Sequence, residues 1–486
     1  MRPRRQLKPV ALEIAPPLEQ ACPATKVQAS PLGPTLSPAA SPSRAEPDRT
    51  ARPRLSVPDR QLLLSPQIID DLLESDHPAR AVWTYTQELD LTLLYDRIRA
   101  RGRVAGRPAI DPRLLVALWL YATLSGFTSA RELAVMCLHY DPCLWLAGGV
   151  SVNYHTLSDF HADNPEFLER LLKQSVEVLR QQGRIDLERI AQDGMRVRAS
   201  AGAASFHRRE TLERLLQEAQ AELQELRQTL AVNAVDPKST QGVATKQPST
   251  GAPELSQRQA AELRHAEERL ERVEQALERM PELEAKIQPG ENKEARVSTT
   301  DPQATVMKMA DGGFRPAYNV EYGTACAGQV VVGVDVVTVG SDQGQMPPLL
   351  DQIENRFDQR PKEVLVDGGF VKLEDIENVQ AGGKCKVYAP VPKPKKDTVD
   401  RHEPKATDSA EVAEWRKRMG TKKAQRIYKE RAATAECVNA QARNRGLRQF
   451  LVRGLDKVKS VAKWFAITHN MARCFALQPQ LVVNNS

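Results

Sequence analysis

Three acidic residues, Asp193, Asp367 and Glu436, are placed so that they could act together at one centre. The first two lie on apolar, strand-like runs, Ile190-Ala-Gln-Asp193-Gly-Met-Arg-Val-Arg-Ala199 and Glu363-Val-Leu-Val-Asp367-Gly-Gly-Phe370. The second run puts its acid at the C-terminal end of a buried strand, where α/β folds place ligand-binding groups. Residues 425–446 read as one helix, rich in helix formers, free of internal Pro and stopped by Gly446. At about 100° per residue, Gln425, Lys429, Glu436, Asn439 and Arg443 share a face on which Glu436 is the only carboxylate. Each acid alone has a plainer reading: Asp193-Gly194 as a turn, Asp367 as a turn former, Glu436 as a salt-bridged surface residue. Carboxylates from two strand ends and a helix, brought to one pocket, suit hard divalent cations that take oxygen ligands. Two such ions about 3.5–4 Å apart activate a water or 3′-hydroxyl and stabilise the leaving oxygen of an in-line phosphoryl transfer. Beside Glu436, the segment from Glu414 to Arg431 holds eight Lys or Arg against two Glu. A solvated helix face explains part of that density, and a polyanion such as a DNA backbone would be held by it.

Positioning these acids falls to the rest of the chain. Residues 1–56, rich in Pro, Ala, Ser and Arg, are expected to form a disordered arm. Residues 57–182 read as helical. Asp111-Pro112 starts a buried helix, Ser125-Gly-Phe127 breaks it, and Ser129-Ala-Arg-Glu132 has the form of a capping box opening the next. This is a helix-turn-helix outline, which helical hairpins that bind nothing also share. A further helix is expected from Asn164-Pro165, and Gly102-Arg-Val-Ala-Gly-Arg-Pro108 is a basic loop that could lie along a backbone. Residues 183–476 are expected to form an α/β domain. Its strands carry Asp193, residues 314–321, residues 329–339, Asp367 and residues 386–391, with a helix over Met346–Phe357 between the third and fourth. Leu212, Leu216, Ala219, Leu223, Leu226 and Leu230 alternate at four and three, as do Ala266, Leu270, Val273, Leu277 and Met280. An antiparallel coiled-coil hairpin at 205–288, inserted in the domain, is the expectation. The basic loop with Lys393, Lys395 and Lys396 precedes the Glu436 helix, and 477–486 form a tail. Strand order and carboxylate pocket together look like the ribonuclease H-like fold.

Composition narrows the alternatives. A chain of 486 residues can build two or three domains with substantial cores, and its formal net charge is a mild +6. The seven cysteines form no C-x-x-C pair, which points to reduced thiols rather than a zinc site. No apolar run reaches the roughly 20 residues of a membrane span, and the N-terminus lacks the apolar core of a signal peptide. A soluble, cytoplasmic protein is expected. No Ser-His-Asp arrangement, P-loop or dinucleotide glycine motif competes with the phosphoryl-transfer reading.

The chain resembles the DDE transposases of bacterial insertion sequences, in the four/five superfamily and closest to the insertion sequence eleven-eighty-two family. The residues that carry the resemblance are Asp193-Gly-Met-Arg-Val-Arg-Ala, Gly313-Phe-Arg-Pro-Ala-Tyr-Asn-Val, Val366-Asp-Gly-Gly-Phe, and the run from Glu436 to Gly454. Ser-Val-Asn-Tyr-His155-Thr-Leu-Ser-Asp-Phe160 in the helical part fits as well, so the resemblance covers about residues 60–476. It implies Asp193, Asp367 and Glu436 as a metal-binding triad with Mg²⁺ (or Mn²⁺). It further implies excision and strand transfer of an element with terminal inverted repeats, in a bacterial, nucleoid-associated setting. A homodimer on double-stranded DNA is expected, because two element ends must be paired. Related transposases carry Tyr, two residues, Arg, three residues, Glu, six residues, then Lys or Arg. Here Tyr428, Arg431 and Glu436 leave four residues before the acid, so an ideal helix turns Arg431 about 140° away from Glu436. Arg443 keeps the family spacing and is expected to contact phosphate, or else to pair with Glu436. Lys429 is expected to substitute on the same face, with Asn439, Tyr428 and Arg431 as further DNA-binding candidates. Two rival functions share these residues: a metal-dependent nuclease that does not join strands, and an inactive descendant that only binds DNA.

Overall fold

The computed structural model describes residues 68–98, 109–235, 256–286, 294–394 and 400–477. The expected N-terminal arm, the basic loop at 102–108, Lys395, Lys396 and residues 478–486 lie outside this set.

The helical part begins with α1 (Pro78–Gln87), α2 (Thr92–Asp96) and α3 (Pro112–Ser125). Asp111 caps α3 as its sequence demands, its Oδ1 accepting from the Arg113 amide at 2.8 Å. The residues of α3 from Leu114 to Thr123 are all buried, and Gly126 ends the helix in the left-handed region at φ 86°. Next come α4 (Ala130–His139), α5 (Asp141–Ala147), α6 (Tyr154–Ala162) and α7 (Pro165–Gln181). Only half of the expected capping box forms at α4: Ser129 Oγ accepts from the Glu132 amide at 3.4 Å. Asn164 does not cap α7 with its side chain; it donates to the Phe160 carbonyl at 2.8 Å instead.

The strands are β1 (Arg189–Arg198), β2 (Phe206–His207), β3 (Val297–Ser298), β4 (Thr305–Lys308), β5 (Phe314–Ala325), β6 (Val330–Val337), β7 (Glu363–Leu365) and β8 (Lys386–Tyr388). Between β2 and β3 run α8 (Arg209–Val235) and α9 (Gln257–Ala285). These two pair in opposite senses through Arg227–Glu267, Arg269–Glu222 and Arg209–Glu284, burying Leu212, Ala219, Leu223, Val273 and Met280. β2 and β3 close the base of that excursion as a small antiparallel ladder.

The main sheet runs β4–β5–β1–β7–β8, with β6 on the same edge of β5 as β4. β1 is antiparallel to β5 and parallel to β7, which is parallel to β8. One sheet face takes α10 (Met346–Phe357), which matches its expected bounds. Gly323 and Gly333, paired across β5 and β6, let Leu349 and Ile353 of α10 press onto the strands; a methyl group at either glycine would meet Ile353 at 3.0–3.1 Å. Then follow α11 (Leu373–Gln380), α12 (Ala410–Met419), α13 (Lys422–Tyr428), α14 (Cys437–Asn444) and α15 (Leu455–Leu477). α15 is the shared beam of the fold. Its Trp464, Ile467 and Met471 join Trp119 and Leu118 of α3 and Tyr318, Val320 and Tyr322 of β5 in one continuous core. The sheet that carries the acids is thereby anchored to the N-terminal helices.

Candidate active site

Asp193 sits within β1, opposite Tyr322, so the Asp193-Gly194 pair is not a turn. β1 is hydrogen-bonded along its whole length to β5, yet its parallel ladder with β7 spans only residues 189–191. Two residues past the end of that ladder, the Asp193 side chain meets Asn439 and Arg431. A Cβ at Gly194 would lie 2.6 Å from Asp342 Oδ1 and 2.8 Å from Glu321 Oε1, so these side chains would have to shift to admit one. Asp367 follows β7 and caps the short 3-10 turn Gly368–Phe370, its Oδ1 accepting from the Gly369 amide at 2.8 Å. Since β1 and β7 are parallel neighbours, both aspartates emerge at the same end of the sheet.

Glu436 arrives by a different route. The expected single helix is broken after Tyr428, and residues Ala432–Glu436 form a π-helical turn before α14 resumes. A π-turn takes about one residue more per turn than an α-turn. The five-residue step from Arg431 to Glu436 therefore closes close to one turn, and Arg431 faces Glu436 rather than pointing away from it. Its Nη2 reaches Glu436 Oε1 at 2.5 Å and its Nη1 stands 3.7 Å from Asp193 Oδ1. The turn is tied down near its start. Gln329, in the β5–β6 turn, donates to the Ala433 carbonyl at 2.7 Å, and Arg189 of β1 grips Glu430 at 2.7 Å and Glu363 at 2.6 Å.

The remaining candidates divide by exposure. Asn439 is buried and donates its amide to Asp193 Oδ2 at 2.9 Å, so it orients the acid and has no surface for DNA. Tyr428 is half-buried and lies beside Arg431. Lys429 is exposed at the break after α13, and Arg431 rather than Lys429 meets the acids. Arg443 is exposed; among the described residues, the ion pair to Glu436 comes from Arg431.

Electrostatics mark the pocket as short of positive charge. Burial pushes the Asp193 carboxyl up to about 6; Arg431 and the Asn439 hydrogen bond oppose this, while the charges of Asp367 and Asp342 add to it. Burial also works against the Arg431 charge, but Asp193, Tyr428, Glu436 and Asp367 outweigh it and hold its pKa above the ordinary value. On the neighbouring strand, burial followed by the Asp342 charge pushes Glu321 up to about 8. Glu321 and Asp342 were not singled out in the sequence. Glu321 stands in an apolar strand and Asp342 in the loop after β6, positions analogous to those of Asp193 and Asp367.

Among the described residues, no three acidic, His or Cys side chains stand close enough to form a finished metal site. The candidate donors are nonetheless all oxygen, from Asp193, Asp367 and Glu436, which is the chemistry a hard divalent cation takes. Among the described residues, Asn439 Oδ1 has no hydrogen-bond partner and adds a buried oxygen. The Arg431 guanidinium supplies the positive charge between Asp193 and Glu436. The donor chemistry, all oxygen, suits such an ion.

Two family models match the chain. Residues 374–475, from α11 through α15, match a transposase DDE domain, and residues 67–163, from the first described residues through α6, match a transposase domain (DUF772). The first stretch contains Arg431, Glu436 and Arg443, whereas Asp193 and Asp367 lie outside both. No curated protein and no solved structure matches the chain. Among the described residues, no helix is long and apolar enough to cross a membrane. A transposase domain matched on the helical side and another on the Glu436 side together support a DDE transposase of insertion sequences.

Proposed function

We propose that the chain binds the ends of an insertion sequence and catalyses metal-dependent DNA cleavage and strand transfer. The observation that carries this reading is the meeting of three elements: Asp193 and Asp367 leave parallel neighbouring strands at one end, and Arg431 brings Glu436 to Asp193. The order of β6, β5, β1, β7 and β8 supports a ribonuclease H-like catalytic domain, and the α8–α9 excursion supports an inserted coiled-coil hairpin. α3, the Gly126 turn and α4 are the proposed helix-turn-helix-like element. Of the two helices, α3 is buried while α4 exposes Val135 and Leu138.

Asp193, Asp367 and Glu436 would hold Mg²⁺ or Mn²⁺. Such an ion supplies a Lewis acid to the scissile phosphodiester and lowers the pKa of an attacking water or 3′-hydroxyl. The protein contributes the rest. Asn439 and Arg431 fix the Asp193 carboxylate, Arg431 turns Glu436 inward, and the exposed Arg443 and Lys429 lie where phosphates alongside the acids would be neutralised. Two ends must be held together, so a homodimer on DNA is the proposed assembly; a strictly monomeric synaptic complex in sedimentation would contradict it.

The test is Mg²⁺-dependent cutting and joining of DNA carrying the flanking ends of the gene's own element. Joined products support the transposase. Cutting without joining favours a nuclease, and binding without either reaction favours an inactive DNA-binding descendant.

A further inference from the structure

A groove of about 460 Å³ lies outside the acidic pocket, between the helical part and the chain that leads into α15. The first turn of α4, one side of α6 and the segment Leu451-Val452-Arg453 line it. These stretches are far apart in sequence, and each falls in one of the two regions matched by the family models. Buried Trp119 and His161 form the inner wall, stacked with ring centroids 3.8 Å apart and planes 9° apart. Trp119 Nε1 donates to the Leu157 carbonyl at 3.0 Å, and Trp464 Nε1 donates to the His161 carbonyl at 3.1 Å. A wall fixed in this way is in place before any partner arrives, which lowers the cost of binding one.

Two exposed arginines line the same groove. Arg131 lies over the Tyr154 ring, its guanidinium 5.1 Å from the centroid, an arrangement that orients the group and leaves its N–H donors free. Arg453 stands on the segment before α15. Among the described residues neither arginine enters an ion pair, and no carboxylate lines the groove. Asp301, which feels the charge of Arg453, is buried and already accepts from Tyr318 Oη at 2.7 Å and the Gly454 amide at 3.3 Å. Exposed cations without a counter-charge, at a groove free of acids, suit a polyanion.

The positive charge continues toward the acids. From Arg453 the chain runs back through Arg448 and Arg443, both exposed, to Glu436 just ahead of α14. Just past α14 the chain packs on the turn between α3 and α4: a Cβ at Gly446 would lie 2.8 Å from Thr128 Cγ2, and Thr128 lines the groove. One short segment thus joins the groove to the candidate active site. By contrast α4, which a helix-turn-helix would lay in the major groove, exposes the apolar Val135 and Leu138.

We propose that this groove is a further DNA contact, in which Arg131 and Arg453 each hold a backbone phosphate of the element end while the scissile phosphodiester lies at the acids. This rests on the transposase reading of the acidic pocket. Backbone contacts fix the register and orientation of a duplex and carry no sequence information directly. The groove would therefore position the cut rather than choose the sequence.

The experiment is fluorescence-anisotropy binding of the full chain, without divalent metal, to element-end DNA and to unrelated DNA of equal length over a range of salt. Arg131→Ala, Arg453→Ala and the double variant are compared with wild type. Arg258→Ala, on α9 and paired with Glu262, is the surface control. Each single variant is expected to weaken binding to both DNAs by a similar factor and to lower the salt slope by about 1, and the double variant by about 2. The control is expected to bind as wild type. Neutral methylphosphonates placed one at a time in the element end test the contacts themselves. One position should weaken wild type and leave Arg131→Ala unaffected, and another should do the same for Arg453→Ala. Wild-type affinity, salt slope and methylphosphonate pattern in both variants, with wild type cutting the element end in Mg²⁺, overturn the groove and leave the transposase reading intact. Unchanged DNA affinity with a loss of self-association in sedimentation assigns the groove to a second copy of the chain and likewise overturns it. Failure of wild type to bind either DNA overturns both.

Discussion

Replacing Arg431 with Ala removes the guanidinium that links Asp193 to Glu436, and its effect should depend on pH in a defined way. The Arg431 and Asp193 side chains are only 13% and 17% exposed, so solvent screens their interaction weakly. Glu436 is 54% exposed, and its half of the bridge adds little stability. Asp193 carries the pH dependence. Its carboxyl is raised to about 6 in the folded protein from an unfolded value near 3.8. A raised acid favours the folded state at low pH and loses that contribution as pH climbs through its folded pKa. Without Arg431, the main charge opposing that rise is gone and the folded pKa moves higher still. Below about pH 6 the proton is bound in both proteins, so this part of the stability difference is absent. Above it, the variant should fall behind wild type by up to about 1.4 kcal/mol per pH unit, until the variant's own pKa is reached. Urea denaturation of the metal-free protein at pH 5, 6, 7 and 8 measures this. A difference that is the same at all four values would refute the proposed Arg431–Asp193 coupling.

Gly194→Ala should destabilise the protein by about 1–3 kcal/mol, because the methyl group would press on Asp342 Oδ1 and Glu321 Oε1 at 2.6 and 2.8 Å; unchanged denaturation would contradict the tight packing. Proton and metal should compete at Asp193, whose carboxyl titrates at about 6. Mn²⁺ affinity should therefore rise by up to about tenfold per pH unit below pH 6 and level off above it; a flat profile from pH 5 to 7.5 by calorimetry would count against Asp193 as a ligand. Arg443→Ala should weaken DNA binding about equally on all sequences and lower the salt slope by about 1; an unchanged slope would remove Arg443 from the phosphate contacts.

Much of the sheet-containing half was legible from strand and helix periodicity. β-branched runs marked β6, α10 has the bounds its pattern predicts, and Asp367 stands just past the end of β7, as the apolar run before it implies. Asp193 was harder, because Asp-Gly is a strong turn signal and only tertiary crowding at Gly194 explains a glycine inside a strand. The Glu436 segment misled in a specific way. A wheel drawn at 100° per residue assumes unbroken α-helix, and one residue absorbed by the π-turn rotates everything before it. Arg431 accordingly moves onto the acids while Lys429 faces solvent. Downstream the α-register holds, yet burial against β1 turns Asn439 inward, a contact that no local pattern encodes. Glu321 and Asp342 went unnoticed because their importance comes from neighbours more than a hundred residues away in β1 and from the loop after β7.

The most direct measurement is a strand-cleavage assay in Mg²⁺ on element-end DNA, run beside a binding assay on the same DNA. Wild type is compared with Asp193→Asn, Asp367→Asn and Glu436→Gln. Each variant is expected to bind the DNA within a few-fold of wild type and to cut at no detectable rate. Cutting at the wild-type rate by any one of them would contradict the assignment of that acid to the reaction.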